Sequence, residues 1–567
     1  MAMANGGELV VDALLEREVR RVFSISGGHI NPIYLHLEGS EIELLTTRHE
    51  QAAVFMAEAT GRMTRRPGVA LVTAGPGFTN ALSAIANANL SNSPLLLLSG
   101  SVGVASEEKL DLQDMHQLPV ITPMVKKAFV CHTTARIPEY LDLAWRTAAS
   151  GRPGPVYLEL PADVLGADVD GAGVVRPYTE MRSRAVDREG ARELVSALRR
   201  AERPVIIAGS GAWYANAGHE LERFVTATGV PTFTLSQGRG LLPDTHPLCF
   251  ESSLPFRPGA VSAADAGADL VVLLGSRMSL FHFFGGLFRT DAQVVQVDTQ
   301  PEEIGRNRSI DLPIASDVRA LLAECSQVVA AEGCADELRG RFSGWVSVLE
   351  KAATEARSQV TGIRESDAVP IHPMRLTAEV DAFMDREGDV VVADGGDTQV
   401  WMGMTRTVRR AGRYLDSGLY GCLGVGLPYA HAAKLQVPDE RVCLVTGDGS
   451  IGFNFMEFET ALRKKLPVVT VISNDCGWGM IRHSQRLKLG HSIDEGSEIG
   501  RVPYHAMVTA LGGFGALVER PEDLRPALAE AFASGLPACL NVMTDPEPVS
   551  PGSVALAMVG GYKLGGE

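Results

Sequence analysis

Two segments of this chain repeat one another at a constant offset of 373 residues, and the repeat restricts the folds open to it. Val69-Ala-Leu-Val-Thr-Ala-Gly-Pro-Gly77 is followed by an apolar run opening at Pro94-Leu-Leu-Leu-Leu98. Val442-Cys-Leu-Val-Thr-Gly-Asp-Gly-Ser450 is followed by Pro467-Val-Val-Thr-Val471. Thr73 to Pro94 and Thr446 to Pro467 both span 21 residues. Each unit reads as strand, glycine-rich turn, helix-length stretch and strand. Units of this kind place their two strands parallel and side by side. A repeat of the whole unit without a gap predicts two related parallel-sheet domains.

Between the repeats lies a third α/β region. Its strands read Pro204-Val-Ile-Ile-Ala208, Asp269-Leu-Val-Val-Leu-Leu274 and Gln293-Val-Val-Gln-Val297. Gly209-Ser-Gly211 follows the first of them, but no further glycine completes a dinucleotide fingerprint. At about 100–200 residues per domain, a chain of 567 residues accommodates three. The fold class expected is α/β, with three doubly wound parallel-sheet domains over 1–165, 185–350 and 370–550. The expected linkers are 166–184, which mixes Gly, Asp and Pro, and about 355–370, which leads to His372-Pro373.

Charge and cysteine usage remove several function classes. A net charge of −16 argues against a nucleic-acid partner or an anionic membrane. No apolar run approaches the ~18 residues of a membrane span. The first 18 residues carry Glu8, Asp12 and Glu16 and lack the basic-then-apolar order of a signal peptide. The eight cysteines have no CxxC spacing, so neither a zinc ribbon nor a disulfide framework is indicated. A reducing, cytoplasmic location is expected.

The strongest local signal is Gly447-Asp-Gly-Ser450 paired with Asn474-Asp-Cys-Gly477. Each follows an apolar strand, and ligands of open α/β sheets bind at the C-terminal ends of strands. Phe455, Phe458 and Leu462 lie between them at helical spacing, so the two strands are expected side by side, with Asp448 and Asp475 together. Carboxylate and carbonyl oxygens suit a hard, six-coordinate ion such as Mg²⁺. A glycine turn at a helix N-terminus suits a phosphate.

This pair of motifs, with 27 residues from Asp448 to Asp475, resembles the metal and diphosphate motif of the thiamine-diphosphate enzymes. The resemblance implies a cofactor, thiamine diphosphate, and Mg²⁺ held by the Asp448 and Asp475 side chains and the Gly477 carbonyl. It also implies cofactor contacts from Gly449, Ser450, Trp478, Gly479 and Met480. The family usually carries Asn where Asp475 stands, which puts a second carboxylate beside the diphosphate. The N-terminal domain becomes the pyrimidine-binding one and the C-terminal domain the diphosphate-binding one. Arg48-His-Glu50 is similar to the family's activating segment, with Glu50 as the acid on the pyrimidine ring, expected to be shielded from water. Gly421-Cys-Leu-Gly424 resembles the loop that bends the cofactor, with Leu423 as wedge and the Gly421 carbonyl on the amine. Asp394-Gly395-Gly396-Asp397 is expected over the diphosphate. Because family members build each site from two subunits, a homodimer or homotetramer with interfacial active sites is implied.

Further segments point to a subgroup. Gly28-His-Ile30, Thr47-Arg-His-Glu50, Phe78-Thr-Asn80 and Trp478-Gly479 look most like the benzaldehyde lyases, and more broadly like acetolactate synthase-like carboligases. The implied chemistry is cleavage or formation of 2-hydroxy ketones from aldehydes or 2-oxo acids. His29 and Gln113 match that subgroup's polar pocket pair, and an imidazole titrating near neutrality can both take and return a hydroxyl proton. Gly28, Met480, Ile481 and His282 complete the expected substrate pocket. Met480 is larger than the residue expected beside the thiazolium and is similar to the acetolactate synthase branch. A decarboxylating condensation of pyruvate is therefore one alternative and a 2-oxo acid decarboxylase another. The His-His pair of pyruvate decarboxylases is missing, and Gly275-Ser-Arg-Met-Ser-Leu-Phe281 lacks the acidic run of biosynthetic acetolactate synthases. FAD is found in relatives, but no motif here demands it. A non-catalytic paralogue would have lost Glu50, Asp448 or Leu423, and all three are present.

Overall fold

The computed structural model describes residues 3–171, 174–175, 185–254 and 259–559. The chain forms two compact units. The first comprises Met1–Arg182 with Ser417–Pro438 and Phe453–Leu466; the second comprises Ser183–Asp416, Asp439–Gly452 and Pro467–Glu567.

The first unit is built on a six-stranded, all-parallel sheet. Its strands are β1 (Arg21–Ser24), β2 (Glu43–Thr46), β3 (Gly68–Val72), β4 (Leu95–Ser101), β5 (Lys127–Val130) and β6 (Pro155–Pro161). Their order is β2-β1-β3-β4-β6-β5. Every residue of β3, β4 and β6 is buried, because helices cover both faces of a parallel sheet. One face packs Val69, Leu71, Leu96 and Leu98 with the helices Gly6–Leu15 and Ile137–Ala149. The other face carries the helix Glu50–Thr64, which also packs against Gly426–Gln436. A short antiparallel ribbon pairs Met3–Asn5 with Asp168–Asp170. The expected linker over 166–184 therefore begins with a paired strand; residues 172–173 and 176–184 lie outside the described residues.

The second unit holds two more sheets. The strands β7 (Pro204–Ala208), β8 (Thr232–Thr234), β9 (Cys249–Ser252), β10 (Leu270–Leu274), β11 (Gln293–Asp298) and β12 (Leu312–Ala315) are parallel in the order β9-β8-β7-β10-β11-β12. The strands β13 (Val390–Ala393), β14 (Tyr414–Asp416), β15 (Val442–Gly447), β16 (Val469–Asn474), β17 (Phe514–Val518) and β18 (Ala538–Met543) are parallel in the order β14-β13-β15-β16-β18-β17. That order is the order of the first sheet, as the sequence repeat requires. The repeated strands differ in register by one residue: Val69 pairs with Leu96, whereas Cys443 pairs with Val469.

The second expected linker is corrected by the structure. The helix Ala335–Arg364 runs through most of it, leaving only a few residues before Pro373–Phe383. Leu338, Phe342, Trp345 and Leu349 anchor its first half in the core, and Ala353 still packs against the core further on. The remainder, rich in good helix formers, continues a helix already nucleated. All eight cysteines are free. Among the described residues, no helix is long and apolar enough to cross a membrane.

A buried polar network fixes the helix that starts at Glu50. Glu58 is fully buried and accepts hydrogen bonds from Asn87 Nδ2 (3.1 and 3.0 Å) and Ser93 Oγ (3.0 Å). Arg62 donates to the Tyr429 hydroxyl at 3.2 Å. Burial pushes the Glu58 pKa up, and the Arg62 charge opposes that shift. Removing one member of such a network strands the others without water. Glu58→Ala is expected to destabilise the protein by about 3 kcal/mol, read as a lower urea midpoint; an unchanged midpoint would show that the network carries little of the stability.

Candidate functional site

In an order of the type 2-1-3-4, the chain reverses direction across the sheet between the first and third strands, and the crevice beyond their C-terminal ends is the natural ligand site. The first unit collects its candidate residues there. β1 runs into a 3-10 turn, Gly28–Ile30, that carries half-buried His29; Gly28 is exposed. β3 runs into Thr73, and His29 Nδ1 lies 3.3 Å from Thr73 Oγ1. β2 leads to a tight turn in which Thr47 Oγ1 donates to the His49 carbonyl (2.9 Å) and Arg48 N donates to Glu457 (2.9 Å). His49 caps the following helix by accepting from Gln51 N at 3.1 Å. Glu50 is the first residue of that helix and accepts from Asn80 Nδ2 at 2.9 Å. Gly77 lies between the two groups: a Cβ there would fall 2.7 Å from Thr73 Cγ2 and 3.6 Å from Glu50 Oε1. His29, Thr73, Glu50 and Asn80 thus form one cluster.

Gln113 stands on the same cluster through its backbone. It has φ +66°, and a Cβ on Gly75 would meet Gln113 Cβ at 2.8 Å. Gln117 fixes the Gly75 turn, accepting from Gly75 N (3.0 Å) and donating to the Gly100 carbonyl (3.0 Å). Glu50 is only half-buried within the chain, contrary to the shielding expected, and Leu110 and Leu112 beside Gln113 are exposed. Gly421 (φ +71°) and half-buried Leu423 lie in a loop tied down at Gly424, whose carbonyl accepts from Asn454 Nδ2 at 2.8 Å. Asn454 Nδ2 also lies 3.3 Å from Gln51 Oε1.

The second unit collects its candidates at the equivalent crevice of the third sheet. Gly447 pairs with Ser473 across β15 and β16, so Asp448 and Asp475 emerge from adjacent strand ends close enough for each carboxylate to act on the other. Asp448 is 2% exposed, and its Oδ2 has no hydrogen-bond partner. Burial and the charge of Asp475 push the Asp448 pKa up to about 8. Burial raises Asp475 as well, opposed by Arg482. Arg482 donates to Asp475 Oδ2 at 2.6 Å and to the Asp475 carbonyl at 3.3 Å. Tyr504 donates to the Asp448 carbonyl at 2.8 Å.

The rest of the motif closes around this pair. The Trp478 ring takes the space a side chain at Gly449 would occupy. Gly479 lies so close to the acids that a Cβ would be 2.6 Å from Asp475 Oδ2 and 3.3 Å from Asp397 Oδ2. Met480 packs on Gly396, and Ile481 is 46% exposed. Gly395 (φ +88°) turns the chain into the helix Gly396–Thr405 beside Ser450. Asp397 accepts from Ser550, from Ser553 Oγ (2.6 Å) and from His483 Nδ1 (2.8 Å), and His483 Nε2 faces the Pro546 carbonyl at 2.8 Å. Burial works against a charged His483, but these two acceptors hold its pKa above the ordinary value. Among the described residues no three His, Cys, Asp or Glu side chains converge as a metal cage. A cation at Asp448 and Asp475 would complete its shell with carbonyl and ligand oxygens.

Sequence reasoning missed Thr73, Gln117, Arg482, His483 and Tyr504. Only Arg482 had a signal, a cation seven residues beyond an extra carboxylate. The others reach the cluster through long-range folding.

Three family models match the chain. The thiamine pyrophosphate enzyme N-terminal TPP-binding domain matches residues 4–120, the central domain 191–325 and the C-terminal TPP-binding domain 394–542. A protein named probable acetolactate synthase from Mycobacterium bovis is 35% identical over 96% of this chain and 97% of its own length. A 2-hydroxyacyl-CoA lyase from Arabidopsis thaliana is 31% identical over 96% of both chains. An oxalyl-CoA decarboxylase from Escherichia coli is 29% identical, again over 96% of both.

His282 lies in the core of the middle sheet region, 1% exposed, with Nδ1 3.2 Å from the Arg277 carbonyl, Nε2 3.4 Å from Ser253 Oγ and its ring on Phe288. Burial holds its pKa down to about 4, against 6.5 for an ordinary histidine. The unfolded chain binds this proton first, so stability present above pH 6.5 is lost as pH falls toward 4. His282→Asn is expected to lack this loss, worth up to about 3 kcal/mol. Thermal unfolding from pH 7 to 4 checks it; parallel curves for the two proteins would refute a neutral, buried His282.

Proposed function

The chain belongs to the thiamine pyrophosphate-dependent enzyme family, and from that premise we propose that it forms or cleaves the carbon–carbon bond of 2-hydroxy ketones, using aldehydes or 2-oxo acids. The proposed division is a pyrimidine-binding domain over 1–165, a middle domain over 185–350 and a diphosphate-binding domain over 370–550. The observation that carries the reading is the cluster of His29, Thr73, Glu50 and Asn80, an imidazole and a carboxyl at one strand crevice. Thiamine diphosphate, when bound, supplies the nucleophilic carbon and the electron sink for an acyl group.

This chain's residues supply the rest. Glu50, oriented by Asn80, presents a carboxyl that exchanges a proton with a pyrimidine ring nitrogen. His29 engages Thr73 through Nδ1, which leaves Nε2 to take a proton from a substrate hydroxyl in cleavage and return it in ligation. Gln113 orients the substrate carbonyl or a water. Asp448, Asp475 and the Gly477 carbonyl hold Mg²⁺. In support, the Asp448 Oδ2 atom is buried without a partner, a costly arrangement that a cation relieves. Gly395, Gly396 and Asp397 line the diphosphate, with the N-terminus of the helix Gly396–Thr405 adding positive potential. Half-exposed Glu50 beside exposed Leu110 and Leu112 supports an active site completed by a second subunit, in a homodimer or homotetramer.

A second reading has its own support. Met480, larger than the residue expected there, lies against Gly396, and one relative with 35% identity is named a probable acetolactate synthase. That reading is decarboxylating condensation of pyruvate.

The test uses protein loaded with thiamine diphosphate and Mg²⁺, given pyruvate, an aromatic aldehyde and a preformed acyloin, with products and CO₂ followed together. Acyloin cleavage or aldehyde coupling without CO₂ supports the first reading. CO₂ released from pyruvate with a coupled product moves the enzyme to the second. In either case Glu50→Gln is expected to lower turnover by about 10²–10⁴-fold, and turnover that survives the substitution would remove Glu50 from its role.

A further inference from the structure

The Arg482–Asp475 pair has no part in the proton chemistry above, yet it sits on the metal donors. Arg482 reaches Asp475 through two contacts, to Oδ2 and to the carbonyl. Its guanidinium also fills the space beside Gly477, where a Cβ would lie 3.2 Å from Cζ. Arg482 thus contacts one proposed donor to the cation, Asp475, and lies beside the residue that carries another, Gly477. The side chains are 7% and 18% exposed, so water screens the pair little. Arg482 Nε is buried without a hydrogen-bond partner, so the side chain is held by this contact rather than by a network of its own.

The charges explain the arrangement. Asp448 and Asp475 are two carboxylates in a buried crevice, and each disfavours ionisation of the other. A diphosphate arriving there would meet both. We propose that Arg482 is a positioning residue that cancels the charge of Asp475, so that the site accepts a second carboxylate without repelling the diphosphate. This rests on the reading that Asp448 and Asp475 hold the divalent ion. Arg482 occupies one oxygen of Asp475 and leaves the other for the ion. It therefore weakens the bare ion's hold on the site and strengthens the diphosphate's.

The two effects have opposite signs, which a merely structural arginine would not produce. The experiment titrates wild type, Arg482→Gln, Arg482→Lys, Asp475→Asn and the double variant Asp475→Asn/Arg482→Gln. The probes are Mn²⁺ alone, by calorimetry or electron spin resonance, and thiamine diphosphate at saturating Mn²⁺. For Arg482→Gln, Mn²⁺ alone is expected to bind about tenfold tighter and thiamine diphosphate about tenfold weaker. Arg482→Lys keeps the charge and is expected to stay near wild type for both. The double variant has the wild-type net charge and is expected to recover thiamine diphosphate affinity to within about threefold, with weaker Mn²⁺ binding. Arg482→Gln that weakens both probes together, or a double variant no better than Arg482→Gln for the diphosphate, would overturn the inference. Wild type that binds no Mn²⁺ would instead overturn the underlying metal assignment, so the two failures read differently.

Discussion

Two parallel strands ending side by side set the terms for the rest of the second unit. β15 and β16 are paired as far as Gly447, the last residue of β15, and Ser473, the last but one of β16, so the segments leaving them emerge as neighbours. Each of those segments carries a carboxylate, Asp448 on one and Asp475 on the other. Close together inside a folded protein, two acids resist sharing full charge, and the surroundings respond to that resistance. Arg482 comes down on Asp475, and Tyr504 takes the Asp448 carbonyl. One oxygen of Asp448 is left buried with nothing to bind. Folding has assembled these acids against their own repulsion, and an external cation is the simplest group that makes the arrangement favourable.

The first sheet shows how the same topology behaves without that acid. At the constant offset of the repeat, Gly75 occupies the position of Asp448 and Gly77 that of Ser450. The place of the carboxylate is taken by the backbone of Gln113, which leans on Gly75. The candidate groups at this crevice come instead from the neighbouring strands, His29 after β1 and Glu50 after β2. One fold has been used twice, once to bring two carboxylates together and once to cluster an imidazole with a carboxyl.

The legibility of each element depended on the range of the interactions that make it. The strands β7 and β10 were readable because a buried parallel strand needs a nearly continuous apolar run. The acid pair was readable because a strand, a glycine turn and a 27-residue return confine Asp448 and Asp475 to adjacent strand ends. The end of the middle region was not: the helix Ala335–Arg364 has its buried side chains in its first half, and the more solvated extension beyond has the composition of a linker. Thr73 and Gln117 were invisible because their partners, His29 and the Gly100 carbonyl, are remote in sequence or join the cluster only when the sheet closes. The shielding expected of Glu50 is not supplied within the single chain, whose sequence also implies a site shared between subunits.

The acidity of the chain sharpens the problem its site must solve. In the proposed reading, a protein with a net charge of −16 takes a diphosphate beside two of its own carboxylates and starts from repulsion at every distance. Long-range charge is screened over about a Debye length and contributes little at the crevice. The solution has to be local, within the few ångströms where burial keeps interactions strong. Local sources of positive potential there include the N-terminus of the helix Gly396–Thr405 and Arg482, and the proposed divalent ion between the acids would be another. The helix end is fixed by the fold, and the proposed ion would be held by Asp448. Arg482 is hydrogen-bonded through its guanidinium to the residue whose charge it offsets, which ties its role to the aspartate at position 475.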